Sequence, residues 1–118
     1  MYLTVLGINH RTAHVEVRWQ VAFTPEQLAR ALAEMTALDC IHEPDIVSTC
    51  NRTEVYCTRD ESHDDVIADW LCRFHRLDPD SLLPHLYNYQ QADAVRHVLR
   101  VADGLDSMIL GEPQILGQ

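Results

Sequence analysis

Positive charge is scarce in this chain. Nine Lys and Arg residues face 18 Asp and Glu, for a net charge of −9 and a pI near 5.0. A domain whose main work is gripping a phosphate backbone needs a basic surface, so this balance argues against that class. The basic residues cluster only locally: His10, Arg11, His14 and Arg18 lie close together, and Arg96 and Arg100 share a helix face. Long apolar runs are missing too. None approaches the ~20 residues of a membrane span. Met1-Tyr2-Leu3-Thr4 shows no basic region leading into an apolar stretch, so no signal peptide is expected. Neither Gly-x-Gly-x-x-Gly nor Gly-x-x-x-x-Gly-Lys occurs, which removes the familiar nucleotide-binding loops. There is no Cys-x-x-Cys, no internal repeat and no low-complexity segment. His10 and His14 are spaced i, i+4, but no Glu or Cys pattern completes a zinc set, and no metal is expected.

What remains is a chain of 118 residues, 47% hydrophobic, enough for one domain with a core of its own. Four cysteines, Cys40, Cys50, Cys57 and Cys72, sit in a domain large enough to fold without staples. Reduced thiols in a cytoplasmic protein are the expectation.

Tyr2 to Ile8 reads as a first strand, ended by Gly7 and Asn9. His10 to Phe23 is ambiguous: Val15, Val17, Trp19 and Val21 alternate like a strand, without turn signals. Thr24, Pro25 and Gln27 form the start of a helix with a capping box, followed by Leu28, Leu32 and Met35 at helical spacing. Pro44-Asp45 predicts a break, with a strand after it and another from Thr53 to Thr58. Asp64 to His75 predicts a helix with Val66, Ile67, Trp70, Leu71 and Phe74 as its stripe, and Asp64 and Asp65 at its dipole's positive end. Leu77 to Pro84 reads as a loop and Leu86 to Gln90 as a short strand. Ala92 to about Asp103 reads as a helix with Val95, Val98, Leu99 and Ala102 inward and Gly104 as its stop. The order β-α-β-β-α-β-α predicts an α+β fold, a largely antiparallel sheet with helices on one face, of ferredoxin-like type.

The most informative segment is Ser48-Thr49-Cys50-Asn51-Arg52-Thr53-Glu54. Flanking strands and an Asn that tolerates left-handed backbone place Cys50 at the tip of a strand–turn–strand unit. A guanidinium two residues away favours thiolate, the nucleophilic form. The competing interpretation is a buried, inert thiol, since free cysteine is among the most buried residue types. The chain ends on Gly104-Leu105-Asp106-Ser107-Met108-Ile109-Leu110-Gly111-Glu112-Pro113-Gln114-Ile115-Leu116-Gly117-Gln118, where Pro113 opens a helix that hardly begins. This reads as a fragment of a longer protein.

Three blocks, Gly7 to Ala13 (GINHRTA), Ser48 to Tyr56 (STCNRTEVY) and Gly104 to Gln118, resemble the N-terminal domain of the glutamyl-tRNA reductases. His14 stands where that family usually has proline, and Asp103 where a small residue is common. The resemblance implies an NADPH-dependent enzyme converting glutamyl-tRNA to glutamate-1-semialdehyde, the first committed step of tetrapyrrole (porphyrin, haem) biosynthesis. It implies that residues 1–118 are the catalytic domain, with the NADPH-binding and dimerisation domains absent from this chain. A homodimer, hand-over of product to the aminomutase of the same pathway, and no membrane association follow from the same likeness.

By that resemblance Cys50 is the nucleophile that takes the glutamyl group as a thioester. Thr49, Asn51 and Arg52 match a glutamate-recognition segment, and a guanidinium can bind a carboxylate through paired hydrogen bonds. Ser107, Glu112, Pro113, Gln114 and Gln118 match the rest of the pocket; without the resemblance they read as a loop and a helix cap. His97 matches a histidine important for activity, as proton donor or as a positioning group. Helical geometry turns it away from the Val95-Val98-Leu99-Ala102 face. Cys40, Cys57 and Cys72 read as packing residues. Two other classes stay open on residues alone: a redox or metal module, prompted by four Cys and seven His, and a non-catalytic interaction domain, prompted by the acidic surface.

Overall fold

A computed structural model describes residues 2–60 and 65–111, with residues 104–111 described by their backbone. Strand β1 (Tyr2–Asn9) is followed by helices α1 (Val15–Val21) and α2 (Pro25–Thr36). A hairpin of β2 (Ile41–Ser48) and β3 (Arg52–Arg59) comes next, then α3 (Val66–His75) and the short α4 (Pro79–Leu82). A 3₁₀ turn (Leu83–His85), β4 (Tyr87–Gln90) and α5 (Ala92–Gly111) complete the order. The strands lie in the order β2-β3-β1-β4, every pair antiparallel. Strands β1 and β2 therefore run the same way with β3 between them, the split βαβ arrangement of the ferredoxin-like α+β class.

Residues paired across a ladder share a face of the sheet. Leu6, Ile8, Ile46, Val55 and Cys57 form one face, closed by Val21, Phe23, Ala31, Met35, Ile67, Trp70 and Leu71 from the crossover segments. Phe23 and Trp70 stack with ring centroids 6.3 Å apart, and Phe74 tilts onto both. The other face carries Gly7, Arg52, Glu54, Tyr56, Tyr87 and Tyr89, and α5 lies over β4 and β1 on that side. The one-face grouping of helices thus describes the two crossovers, and α5 is an addition on the opposite side.

The capping box forms as read: Thr24 Oγ1 accepts from Gln27 N, and Gln27 Oε1 accepts from Thr24 N. Several other expectations need correction. The segment after His14 is helix α1. Its alternating apolar residues do not share a face: Val21 is buried and Val17 packs on the core, whereas Trp19 is 67% exposed. The chain reaches α1 through a turn made by Asn9, whose Oδ1 accepts from Arg11 N and Thr12 N. Strand β2 begins before Pro44 rather than after Pro44-Asp45; a register shift between His42 and Asp45, with Glu43 at φ 50°, absorbs the proline on this edge strand. The predicted loop from Leu77 contains α4, opened by Asp78, whose Oδ1 accepts from Asp80 N, with Pro79 in the first turn. Asp64 lies outside the described residues, and α3 starts at Val66 after Asp65.

Helix α5 departs most from expectation. It continues through Gly104 to Gly111. Its stripe Val95-Val98-Leu99-Ala102 faces out, with Leu99 59% exposed, while Ala94 and His97 are buried. The surface beneath it is made of tyrosines and a glutamate, so a histidine rather than an aliphatic side chain complements it.

Candidate active site

The hairpin turn between β2 and β3 is built by its own residues. Thr49 N donates to Arg52 O at 2.8 Å, and Thr49 Oγ1 accepts from Asn51 N and Arg52 N, both at 3.2 Å. Ser48 Oγ accepts from Phe23 N at 3.0 Å and shares a hydrogen bond with Thr53 Oγ1, tying the turn to the α1–α2 junction. Cys50 is thereby held exposed at the tip. The other thiols differ: Cys57 and Cys72 are buried and Cys40 partly so, and burial pushes the Cys57 thiol up to about 11.

Two residues past the thiol, Arg52 enters the polar face. Its Nη1 lies 3.5 Å from Glu54 Oε1. Glu54 is fully buried and is the centre of this face. Tyr56 donates its hydroxyl to Oε1 at 2.6 Å and Tyr87 donates its own to Oε2 at 2.7 Å. His97 Nε2 closes onto Oε2. A carboxylate offers about four acceptor positions, and here four donors converge, two on each oxygen. Burial alone would raise the Glu54 pKa, but the hydrogen bonds from Tyr56, Tyr87 and His97 outweigh it and hold the group below its ordinary 4.5. Burial and the neighbouring Glu54 push both tyrosine hydroxyls well above their usual range, so they stay protonated donors.

Gly7 makes room for this cluster. A Cβ there would stand 2.8 Å from Glu54 Cγ, 2.8 Å from Thr53 O and 2.9 Å from the Tyr87 hydroxyl. The rings of Tyr87 and Tyr89 lie 5.3 Å and 4.8 Å from the His97 ring and wall it in.

The structure therefore joins two of the predicted site residues, Arg52 and His97, through a carboxylate the sequence reading missed. Thr49, Cys50 and Asn51 lie in the adjoining turn. Ser107 falls on the α5 backbone, and Glu112, Pro113, Gln114 and Gln118 lie outside the described residues. Glu54, Tyr56, Tyr87 and Gly7 had one signal in the sequence: Arg52, Glu54 and Tyr56 alternate and so share a strand face. A shallow depression of about 400 Å³ beside α3, lined by Val66, Asp69, Cys72 and Arg73, contains none of these residues. Among the described residues no group of three or more His, Cys, Asp or Glu could hold a metal ion, and no helix is long and apolar enough to cross a membrane.

A family profile described as "Glutamyl-tRNAGlu reductase, N-terminal domain" matches residues 6–118. The chain belongs to this family. A glutamyl-tRNA reductase from Chromohalobacter salexigens is 57% identical over all 118 residues, which make up 28% of that protein. One from Photobacterium profundum is 52% identical over the same share. The solved glutamyl-tRNA reductase from Methanopyrus kandleri superposes with a TM-score of 0.64 at 28% identity, over 98% of this chain and 26% of that one. The chain thus spans little more than a quarter of its relatives. Within the glutamyl-tRNA reductase N-terminal domain, both the Cys50 turn and the Glu54 cluster lie in the matched region.

Proposed function

We propose that residues 1–118 are the catalytic, glutamyl-recognising domain of a cytoplasmic NADPH-dependent glutamyl-tRNA reductase. The enzyme forms glutamate-1-semialdehyde through a Cys50 thioester, at the entry to tetrapyrrole synthesis. The observation that carries this reading is Cys50, the exposed thiol, held on a fixed turn two residues before Arg52. An aminoacyl ester is an activated acyl group. The Cys50 thiolate attacks its carbonyl carbon, the C–S bond forms, the ester C–O bond breaks, and the departing ribose oxygen takes up a proton. Arg52 binds a substrate carboxylate, its geometry set by the turn and by Glu54. Ser107, Glu112, Pro113, Gln114 and Gln118 complete the glutamate pocket with Thr49 and Asn51. NADPH, held by a domain outside this chain, supplies the hydride that reduces the thioester carbonyl. Because Cys50 holds the acyl group as a thioester, its sulfur leaves as thiolate and is regenerated. The homodimer forms through a domain outside this chain, and the aldehyde passes to the aminomutase that consumes it. With a net charge of −9, this domain makes local tRNA contacts only.

The test is to incubate the full-length enzyme with glutamyl-tRNA carrying labelled glutamate, without NADPH. The wild type should retain label on protein, releasable by hydroxylamine. Cys50→Ser should retain none as thioester and lose on the order of three decades of reduction. Near-normal turnover by that variant would remove Cys50 from the mechanism.

A further inference from the structure

The buried carboxylate of Glu54 enters the thioester scheme above only through Arg52, yet it is the best-connected side chain of the polar face. It sits under Gly7 and accepts from Tyr56, Tyr87, Arg52 and His97. An ionised carboxylate only accepts hydrogen bonds. The His97 nitrogen that meets it, Nε2, must therefore be the one carrying hydrogen. In neutral His97 this leaves the lone pair on Nδ1; in charged His97 it leaves Nδ1–H as the second donor.

We propose that Glu54 is a positioning residue that fixes the His97 imidazole so that Nδ1 is the nitrogen presented to the reaction at Cys50, and that it steadies the Arg52 guanidinium from its other oxygen. The two hydroxyls hold the carboxylate still: Tyr56 engages the oxygen that meets Arg52, and Tyr87 the oxygen that meets His97. Gly7 is glycine because the cluster occupies the space of its side chain. The proton delivered to or taken from the substrate moves at Nδ1, and Glu54 stays ionised throughout. The logic is that of a carboxylate orienting a catalytic histidine, with the ring turned so that Nε2 rather than Nδ1 is the anchored atom.

The proposal rests on the thioester reading, and the experiment keeps the two apart. Acylation of the full-length enzyme by labelled glutamyl-tRNA is measured without NADPH, beside thermal melting. His97→Gln places an amide nitrogen near the Nε2 position, keeping the link to Glu54 while removing Nδ1. It should melt normally and acylate on the order of 10²-fold slower. Glu54→Gln keeps the size but lets an amide N–H face His97 Nε2, which inverts the tautomer; it should slow acylation to a similar extent. The double variant should be no slower than the slower single, because both changes disable one unit. Glu54→Asp, which withdraws the carboxylate by one methylene, should fall between wild type and Glu54→Gln, and it decides the matter if Glu54→Gln does not fold. Multiplicative slowing in the double variant, or normal acylation by a folded Glu54 variant, overturns the role of Glu54 while leaving Cys50 in place. Normal acylation by His97→Gln removes His97, and Glu54 with it, from the mechanism.

Discussion

The two faces of the sheet are made from the same strands and share almost no chemistry. One face is aliphatic and aromatic, closed by Val21, Met35, Ile67, Trp70 and Leu71. The other is a glutamate, tyrosines and an arginine under a histidine. Side chains alternate along a strand, so each residue of β3 is committed to one side or the other: Val55 and Cys57 to the core, Arg52, Glu54 and Tyr56 to the cluster. The first face holds the fold through non-directional burial, and the second holds a geometry through directed hydrogen bonds. Damage to each should therefore show up in different measurements.

The largest effect belongs to the apolar face. Leu71→Ala empties a fully buried site on α3 and should cost about 2–5 kcal/mol of stability. Denaturant unfolding should show that loss, while enzyme that remains folded acylates normally. On the polar face the pattern reverses: Arg52→Lys keeps the charge but loses the planar fork. Glutamyl-tRNA use should fall by roughly 1.5–3 kcal/mol with melting little changed. Equal use by Arg52→Lys and wild type would make the arginine a structural residue.

Gly7→Ala tests whether the polar face tolerates any strain. The added methyl meets a backbone oxygen as well as two side chains, so relief requires moving β3 or Tyr87. About 1–3 kcal/mol of destabilisation is expected, together with slowed acylation; a variant with wild-type melting and kinetics would show that the cluster has room to spare.

The smallest effect separates the faces by pH. Burial lowers the His75 pKa from its ordinary 6.5, and its Nε2 has no hydrogen-bond partner among the described residues. The folded protein then binds fewer protons there than the unfolded chain, so stability should decline as pH falls below about 6.5, by less than ~1.4 kcal/mol per pH unit. Glu54 acts further down. Its contribution is present above the unfolded carboxyl value of 4.5 and is lost as pH falls through its lowered folded value. Melting scans across this range should lose the upper step in His75→Phe and the lower step in Glu54→Gln.

Local chemistry was legible in the sequence, and tertiary environment was not. The capping box at Thr24 and the turn around Cys50 depend on neighbours a few residues away; the box forms as read, and the turn puts Cys50 at its tip without the left-handed backbone expected of Asn51, held instead by the Thr49 side chain. The alternation of Val15, Val17, Trp19 and Val21 leaves the segment ambiguous because α1 needs only Val17 and Val21, one turn apart, to reach the core. The inward face of α5 is the reverse of expectation because an apolar stripe is expected to face inward, whereas the surface this helix covers is polar. Glu54 went unnoticed for the same reason. A lone acid in a strand reads as solvated until the register places Gly7 and Tyr87 beside it.

The His97–Glu54 contact joins residues 43 apart in the chain, and the ring also rests on Tyr87 and Tyr89 from β4. The turn that displays Cys50 is closed by bonds spanning three residues or fewer. Short loops close before long ones, and chains fold in part as they leave the ribosome, N-terminal segments first. The nascent chain can thus present its thiol while Glu54 is still wetted by solvent. The Glu54 cluster closes only when α5 emerges and lies down, so an unfinished chain carries an exposed cysteine beside a carboxylate that is not yet enclosed.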